Sequence, residues 1–311
     1  MGVVAEGTAA FCKFQYAAMN DKISILVTGS DGFIGRHLVP YLAARGYRVI
    51  AASRSVTAFE DPDIVFARLP DLSKPFDWQP LLQQCDAVIH LAGIAHTFAD
   101  VDQYDRVNHQ ATAALARAAS RSGKHLVFVS SIAAQSGSFS YLDLTEDDPP
   151  RPKNAYGGSK LAAELAIRAT GVSFTILRPV VIYGRGEHKG NFAIIHVISR
   201  LPIPLPFGKL TARRSVLSIQ NFCSAVGFAL TNSSARGETF IVSDPTPLTV
   251  SEIISNYRAS LGRSTQLIPI PEKWLEIFLN VVGRNDVWQR VGRPLVARPR
   301  KLLALGWKPL E

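Results

Sequence analysis

The sequence predicts a doubly wound α/β fold, a parallel sheet covered by helices on both faces, with a smaller mixed lobe after it. Three observations carry this prediction. From Ile23, short apolar runs such as "ISILVTG", "YRVIAAS" and "HLVFVSS" alternate with amphipathic stretches, which is typical of strands buried on both faces. A glycine-rich turn joins the first run to the first helix. After Arg178 the pattern changes to proline-rich and mixed segments.

The length of 311 residues and the 47% hydrophobic content favour two lobes around a cleft. We expect the parallel-sheet core to span residues 19–178 and the mixed lobe to span 179–311, with about 238–245 returning to the sheet as a strand. In the mixed lobe, "LPIPLPFGKL" is too rich in proline for a helix or a central strand, and Thr249 is a candidate helix cap. Residues 1–18 lack a basic start and carry Lys13 within their apolar part, so they make a poor signal peptide. We expect them to be a disordered extension or the result of a misassigned start, since Met19 directly precedes the periodic pattern.

The charge, the hydropathy and the cysteines argue against several classes of protein. The net charge is +9, but the basic residues form no long block, so nucleic acid is not a favoured partner. The densest basic stretch, 284–301, is interpreted as a solvated face. No apolar run approaches the roughly twenty residues of a membrane span. Three widely spaced cysteines predict neither a disulfide framework nor a metal site and favour a reducing, cytoplasmic location.

The first element with chemistry is the turn "VTGSDGFIG". Gly29, Gly32 and Gly35 lie between a strand and a helix that begins near Phe33 and Ile34. Glycine lets the backbone bend tightly and approach a pyrophosphate, which the N-terminus of a helix stabilises. The context predicts a dinucleotide-binding turn.

The end of the second strand bears on which dinucleotide binds. NAD sites usually place a carboxylate there for the ribose, whereas NADP needs a cation for the 2′-phosphate. Here the strand ends at Ser53 and Arg54, with no acid before Glu60. The pattern therefore favours NADP, with NAD as the alternative and stacking on adenine as another use of Arg54. Asp71 and Leu72 are candidates to bracket the adenine ring, or they form a simple turn.

Next comes "NAYGGSKLAAELA", in which Tyr156 and Lys160 lie four positions apart and so share a helical face. A nearby ammonium would lower the pKa of the phenol and suit it to proton transfer. Ser130 and Ser131 end a predicted strand, the edge where open α/β sheets bind ligands. A hydroxyl at Ser131 would hold the reacting oxygen beside Tyr156; its other reading is a helix cap or turn.

Together with "HLAG" at 90–93 and Asn108, these motifs resemble the extended short-chain dehydrogenases/reductases, in particular nucleotide-sugar 4-epimerases and 4-keto-sugar reductases of the UDP-glucose 4-epimerase type. The resemblance runs from about Ile23 to Trp307. It implies a Rossmann core with a substrate-binding C-terminal lobe, a catalytic triad of Ser131, Tyr156 and Lys160, and a nicotinamide ribose held by Lys160. It also implies that Asn108 supports the active-site helix. The remaining cofactor contacts that it implies are Leu91, Ala92, Gly93 and Pro179.

The same resemblance implies a UDP-sugar substrate. Asn191 and Arg214 would hold its diphosphate; Arg213 and Arg293 are weaker candidates for which a surface role is as plausible. His96 and Thr97 either line the pocket or pack a loop. A homodimer would form through a four-helix contact that includes the helix of Tyr156.

The chain also departs from relatives in two places. Ile132 and Ala133 replace the Asp-Glu pair of the 4,6-dehydratases, which argues against dehydration, and Val181 replaces an asparagine that many 4-epimerases use. We expect an NADP-preferring oxidoreductase, a 4-keto reductase acting on a UDP-linked hexose. The alternative is a UDP-hexose 4-epimerase with the same Ser/Tyr/Lys site. Weaker alternatives are a reductase of apolar ketones and a non-catalytic nucleotide-binding protein.

Overall fold

The computed structural model describes residues 22–56, 59–95, 99–186, 197 and 199–310. Their centre is a seven-stranded parallel sheet. Its strands, in chain order, are β1 (Ser24–Thr28), β2 (Arg48–Ser53), β3 (Ile64–Arg68), β4 (Ala87–His90), β5 (His125–Val129), β6 (Phe174–Pro179) and β10 (Thr239–Val242). Four short strands pair outside this sheet: β7 (Val181–Tyr183) with β9 (Val216–Ser218), and β8 (Arg213–Arg214) with β11 (Leu248–Thr249). The doubly wound fold is confirmed.

Helices cover both faces of the sheet. In the described residues the α-helices are α1 (Phe33–Ala43), α2 (Gln79–Leu82), α3 (Val101–Tyr104), α4 (Ala111–Arg121), α5 (Ala155–Ala169), α6 (Ile219–Thr231), α7 (Val250–Ser260), α8 (Glu272–Val281), α9 (Asn285–Val291) and α10 (Arg300–Ala304). Short 3₁₀ turns occupy Ile132–Ala134 and Ser233–Ala235. Among these helices none is long and apolar enough to cross a membrane.

The strand order is β10-β6-β5-β4-β1-β2-β3. The chain therefore leaves β1 towards β2 and β3 and then returns to the other side of β1 at β4. Such a reversal opens a crevice at the carboxyl ends of the strands, the usual place for a ligand in an open α/β sheet. The crevice lies between the loops that follow Thr28 and His90, and it organises the candidate site.

The two faces of the sheet carry separate apolar clusters. One cluster packs α1 and α6 against the sheet, and the other packs α4 and α5 against it. His90 lies inside the sheet, where its Nδ1 is 2.7 Å from Thr28 Oγ1 and its Nε2 is 3.1 Å from Thr112 Oγ1. Burial, and secondarily Lys160, lowers the pKa of His90 to about 3. This histidine is a neutral core residue.

The helix predicted over "DRVNHQATAALARAASRSG" begins at Val101 and contains a π-helical segment, Asp105–Gln110, before α4. The wider turn is closed by the backbone N–H of Ala111, which donates to Arg106 O five residues back. The hydroxyl of Thr112 donates to Asn108 O at 2.7 Å and satisfies a carbonyl near the end of the wide turn. π-Turns concentrate at functional sites, and this one carries Asn108.

The C-terminal lobe has a small third apolar cluster, separate from the two on the sheet. Leu205, Leu210, Val250, Ile254 and Trp288 are buried together there. Thr249 caps α7 in a reciprocal capping box with Glu252, as the sequence predicts. The proline-rich stretch 201–210 contains no regular helix or extended strand.

Candidate active site

The turn after β1 has the shape that a diphosphate requires. Gly29 has φ +73°, and a Cβ there would lie 2.9 Å from Ala92 N. A Cβ on Gly35 would lie 2.5 Å from Gly29 O, so both positions exclude larger residues. Gly32 stands at the N-cap of α1, no side chain caps this end, and the first turn holds no acid. The free N–H groups of α1, which starts with Phe33 and Ile34, fit an anionic phosphate.

The end of β2 presents a cation. Ser53 is buried and its hydroxyl donates to Ser55 O at 2.7 Å, whereas Arg54 is exposed. Across the groove, hydrogen bonds from Ser73 lower the pKa of Asp71, and Arg54 contributes a weaker electrostatic effect. Arg54 and Asp71 are thus neighbours. Leu72 is partly buried against the apolar cluster that packs α4 and α5 on the sheet.

The loop after β4 borders the phosphate turn. Ala92 N donates to Thr28 Oγ1 at 3.2 Å, and Leu91 N donates to Thr28 O at 3.2 Å. Gly93 is exposed and a Cβ there would lie 2.8 Å from Asn108 Oδ1. The six-residue strand β6 ends at Pro179, where the backbone pairs with Val242. These residues line the crevice on the side away from β2.

Asn108 joins this loop to α5, which carries Tyr156 and Lys160. Its Oδ1 accepts from Ile94 N at 2.8 Å, and its Nδ2 donates to Ile94 O at 3.0 Å and to Ser159 Oγ at 3.1 Å. Ser159 lies next to Lys160 on α5. The resemblance implies support of this helix by Asn108, and in the structure the side-chain amide of Asn108 makes the contact to α5.

Tyr156 and Ser131 meet at the base of the crevice. Ser131 lies two residues after β5 in an extended conformation and accepts from Ala133 N at 3.1 Å, and its side chain is also hydrogen-bonded to that of Tyr156. The serine therefore caps a 3₁₀ turn and contacts the phenol at once. Asn154 caps α5 through a bond from Gly157 N at 2.7 Å, which fixes the helical turn that carries Tyr156.

Lys160 lies one turn further along α5 and is 5% exposed. Its Nζ donates to Val129 O at 3.0 Å and lies 4.8 Å from the centre of the Phe128 ring. Burial lowers the pKa of Lys160 to about 8, and the Glu164 carboxylate opposes this shift. The structure brings Ser131, Tyr156 and Lys160 to one end of the sheet.

The expected lowering of the Tyr156 pKa is wrong for the protein alone. Burial raises that pKa to about 12, against the effect of the Ser131 hydrogen bond, and Tyr104 raises it further. Desolvation disfavours the phenolate more strongly here than the surrounding dipoles favour it. Tyr156 is therefore a protonated phenol at neutral pH, ready to donate.

Tyr104, which the sequence patterns do not single out, is a buried side chain whose ring centre lies 5.9 Å from that of Tyr156. Tyr104 ends α3, 52 positions before its partner. An aromatic residue in an amphipathic stretch looks like ordinary core, and no local spacing links it to Tyr156.

Also missed was a buried polar network beneath Ser131. Ser130 Oγ donates to Glu164 Oε1 at 2.5 Å, and Arg178 binds both carboxylate oxygens of Glu164, at 3.0 and 2.5 Å. Arg178 Nη1 donates to Gln135 Oε1 at 3.0 Å, and Gln135 Nε2 donates to the carbonyls of Thr145 and Asp148. The network ties α5, the end of β6 and the Ser131 turn together.

The two arginines predicted to bind the substrate diphosphate, Arg214 and Arg293, differ in their contacts. Arg214 donates to Arg293 O at 2.7 Å and to Ser138 O at 3.0 Å. Burial, then Arg290, lowers its pKa to about 10, so Arg214 lies in a cationic environment and makes no ion pair with a described carboxylate. Arg293 is paired with Glu276 at 2.9 Å and donates to Tyr141 Oη at 2.6 Å.

Some predicted positions fall elsewhere. Arg213 is exposed. Asn191, His96 and Thr97 lie outside the described residues, as do residues 1–18. In the part of the chain that is described, no group of His, Cys, Asp and Glu could hold a metal ion.

Replacing Lys160 with Met tests the cost of burying this cation. The folded-state pKa of about 8 lies below the ordinary 10.5, so the unfolded chain holds the proton more tightly between these values. Wild-type stability should therefore rise relative to the variant as the pH increases through 8 to 10.5, by an amount on the order of 3 kcal/mol. Urea unfolding at pH 7 and 10.5 measures it, with exposed Lys308→Met as the control. A pH-independent difference would contradict the burial argument.

Comparison with known proteins places the chain in a family. The NAD dependent epimerase/dehydratase family matches residues 25–243. The chain is 30% identical over 299 residues to the UDP-glucose 4-epimerase of Vibrio cholerae, covering 92% of this chain and 90% of that protein. It is 28% identical over 299 residues to the ceramide reductase of Caulobacter vibrioides (strain NA1000 / CB15N), covering 92% of this chain and 86% of that protein.

Solved structures have the same fold. The UDP-glucuronic acid 4-epimerase from Bacillus cereus in complex with NAD superposes with a TM-score of 0.71, at 22% identity, and covers 93% of this chain and 94% of that one. Another structure of this fold, that of the human epimerase family protein SDR39U1, holds NADPH. The chain belongs to the NAD dependent epimerase/dehydratase family and is an enzyme of the extended short-chain dehydrogenase/reductase type.

Proposed function

We propose that this enzyme is an NADP-preferring 4-keto reductase of a UDP-linked hexose. The observation that carries the cofactor preference, and with it the reductase assignment, is the end of β2, where Arg54 is exposed and no carboxylate occurs in the sequence between Arg54 and Glu60. A guanidinium suits a 2′-phosphate, and a ribose diol would need an acid there. Reductases consume their hydride donor in each turnover, and NADPH is the donor used in reductive biosynthesis.

The proposed roles follow from the contacts. A dinucleotide bound in the crevice would supply the hydride for C4. Tyr156 donates its phenolic proton to the ketone oxygen, and its high pKa keeps that proton in place until the oxygen becomes basic. Ser131 donates a hydrogen bond to the same oxygen. Lys160 would hold the nicotinamide ribose and restore the proton to Tyr156.

Gly29, Gly32 and Gly35 with the start of α1 would hold the pyrophosphate, and Asp71 and Leu72 would flank the adenine. For the substrate, we propose that Arg214 and Asn191 bind the diphosphate. Burial and, secondarily, the nearby Arg290 lower the pKa of Arg214; an anionic ligand would offset both effects, which supports this assignment. Arg293 is a weaker candidate, because its guanidinium already binds Glu276.

Replacing Arg54 with Ala tests the cofactor preference. Loss of a charge-assisted contact to the 2′-phosphate should raise the Kd for NADPH by about 10- to 100-fold while the Kd for NADH changes little. Fluorescence titration of both cofactors measures this, with exposed Arg263→Ala as the control. An equal loss for both would instead indicate that Arg54 stacks on adenine.

A UDP-hexose 4-epimerase is the second candidate, favoured by the match to the Vibrio cholerae enzyme. Its reaction would use the same Ser131, Tyr156 and Lys160 in both directions. Incubating the purified enzyme with UDP-glucose in the absence of added NADPH separates the two. Rapid formation of UDP-galactose would overturn the reductase proposal; NADPH oxidation that depends on a UDP-4-keto-hexose would support it.

The dimer, the division of labour between the lobes and the two weaker alternative functions are also matters of proposal. A homodimer would form through α4 and α5, and exposed Leu165 on α5 (59% exposed) offers an apolar contact for it. Residues 19–178 would hold the cofactor and 179–311 mainly the substrate. Action on an apolar ketone is disfavoured by the charge around Arg214, and a non-catalytic role by the intact Ser131, Tyr156 and Lys160.

A further inference from the structure

Helix α8 has a clearly defined inner face. Leu275 and Leu279 pack against the small C-terminal cluster of Leu205, Leu210, Val250, Ile254 and Trp288. Glu272 Oε1 accepts from Thr211 N at 2.7 Å, and Glu276 accepts from Arg293. These contacts hold α8 on the C-terminal lobe and decide which side faces outward.

The outward side of α8 is apolar. Trp274, Ile277, Phe278 and Val281 are 68%, 50%, 60% and 80% exposed. Their spacing of i, i+3, i+4 and i+7 puts all four on one face. A helix on the surface of a globular protein normally presents polar side chains there. A contiguous exposed patch with two aromatics marks an interaction surface; we call these four side chains the outer face of α8.

The basic charge of the chain lies in the same region. Residues 200–311 contain 15 of the 34 Lys and Arg but 7 of the 25 Asp and Glu, so nearly all of the net charge of +9 is located there. Lys273 is exposed on α8 itself, and exposed Lys209 lies two residues before Thr211, which binds the first turn of α8. Exposed lysine side chains therefore lie close to the outer face of α8.

We propose that the outer face of α8 docks on a lipid bilayer that contains anionic headgroups. An apolar face with Trp and Phe beside lysines is the composition of a helix that lies in the membrane interface, and Trp suits the boundary between headgroups and acyl chains. Juxtaposed lysines and arginines strengthen binding to anionic lipid.

A second copy of the chain fits this surface less well. Pairing through the outer face of α8 would bring together two C-terminal regions with the same excess of positive charge, and like charges across an interface oppose association. An anionic bilayer complements that charge. This inference is independent of which substrate the enzyme reduces.

The chain provides its own probe. Its four tryptophans are Trp78, Trp274, Trp288 and Trp307, and all except Trp274 are buried. A blue shift of tryptophan emission on adding vesicles therefore reports on Trp274. The full-length protein is titrated with vesicles of phosphatidylcholine alone or with about 30% phosphatidylglycerol, and the bound fraction is measured by flotation.

We expect wild type to float with the anionic vesicles, to show a blue shift, and to dissociate as salt is raised. The W274S/F278S variant should bind at least about 10-fold more weakly than wild type. The control variant I23S/V101S removes two exposed apolar side chains outside the C-terminal lobe, and it should bind as tightly as wild type. Circular dichroism and cofactor binding verify that each variant is folded.

Equal binding by wild type and W274S/F278S would overturn the proposal, and so would the absence of vesicle binding by wild type. In the second case, light scattering distinguishes the other occupant: a smaller oligomer in W274S/F278S than in wild type would assign the outer face of α8 to self-association. Turnover of a soluble substrate is measured separately, so failure of the reductase assignment leaves this test unaffected.

Discussion

Replacing Tyr156 with Phe is expected to lower kcat by about 10³-fold, because the phenol is the proposed donor to the developing alkoxide and general acid catalysis contributes roughly this much. The ring, its contact with Tyr104 at 5.9 Å between ring centres and the helix cap at Asn154 remain. Cofactor binding should therefore stay close to wild type. Steady-state kinetics and cofactor titration together measure the effect.

Tyr104→Phe is the matched control. It removes the same atom from the neighbouring ring, which the proposed mechanism does not use in proton transfer. We expect kcat to fall by less than about 10-fold for Tyr104→Phe. Comparable losses in both variants would contradict the assignment of the acid to Tyr156. An unchanged kcat in Tyr156→Phe would exclude it.

Replacing Arg178 with Met should lower the free energy of unfolding by about 3–5 kcal/mol, the usual cost of leaving a buried charge without its partner. Arg178 and Glu164 are 7% and 2% exposed in their side chains. Without the guanidinium, the Glu164 carboxylate keeps the Ser130 hydroxyl as its donor, and Gln135 Oε1 loses its bond from Arg178. Urea unfolding monitored by circular dichroism provides the measurement.

Arg298→Met is the control for that experiment, since Arg298 pairs with Asp143 at 2.7 Å while both side chains are 44% and 47% exposed. An exposed pair is worth about 0–1 kcal/mol, so this variant should be nearly as stable as wild type. The contrast isolates burial as the cause. Equal destabilisation of the two variants would refute the network as the source of stability.

The parts of the site predicted from sequence are those in which function lies in local spacing. Gly29, Gly32 and Gly35 form one turn, and Tyr156 and Lys160 share one helical face, so short patterns suffice. Glu164, Arg178 and Tyr104 need the fold. Arg178 and Gln135 are 43 positions apart, and an arginine within a strand gives no sign that it will be buried on a carboxylate.

The pKa of Tyr156 was mispredicted for a related reason. Spacing shows that Lys160 is near, but the extent of burial depends on Tyr104 and the loop of Ser131. Desolvation then raises the pKa to about 12. For the same reason the pKa of Lys160 is lowered to about 8. In both groups burial disfavours the charged form.

The π-helical turn at Asp105–Gln110 has a consequence for how this chain tolerates changes in length. A π-turn holds one residue more than an α-turn, so deleting a single residue there would restore an ordinary helix and rotate everything before it by about 100°. Tyr104 would turn away from Tyr156. Insertions and deletions in this stretch are thus constrained by an angle. A lineage that lost the extra residue would have to supply the aromatic neighbour of Tyr156 from another position.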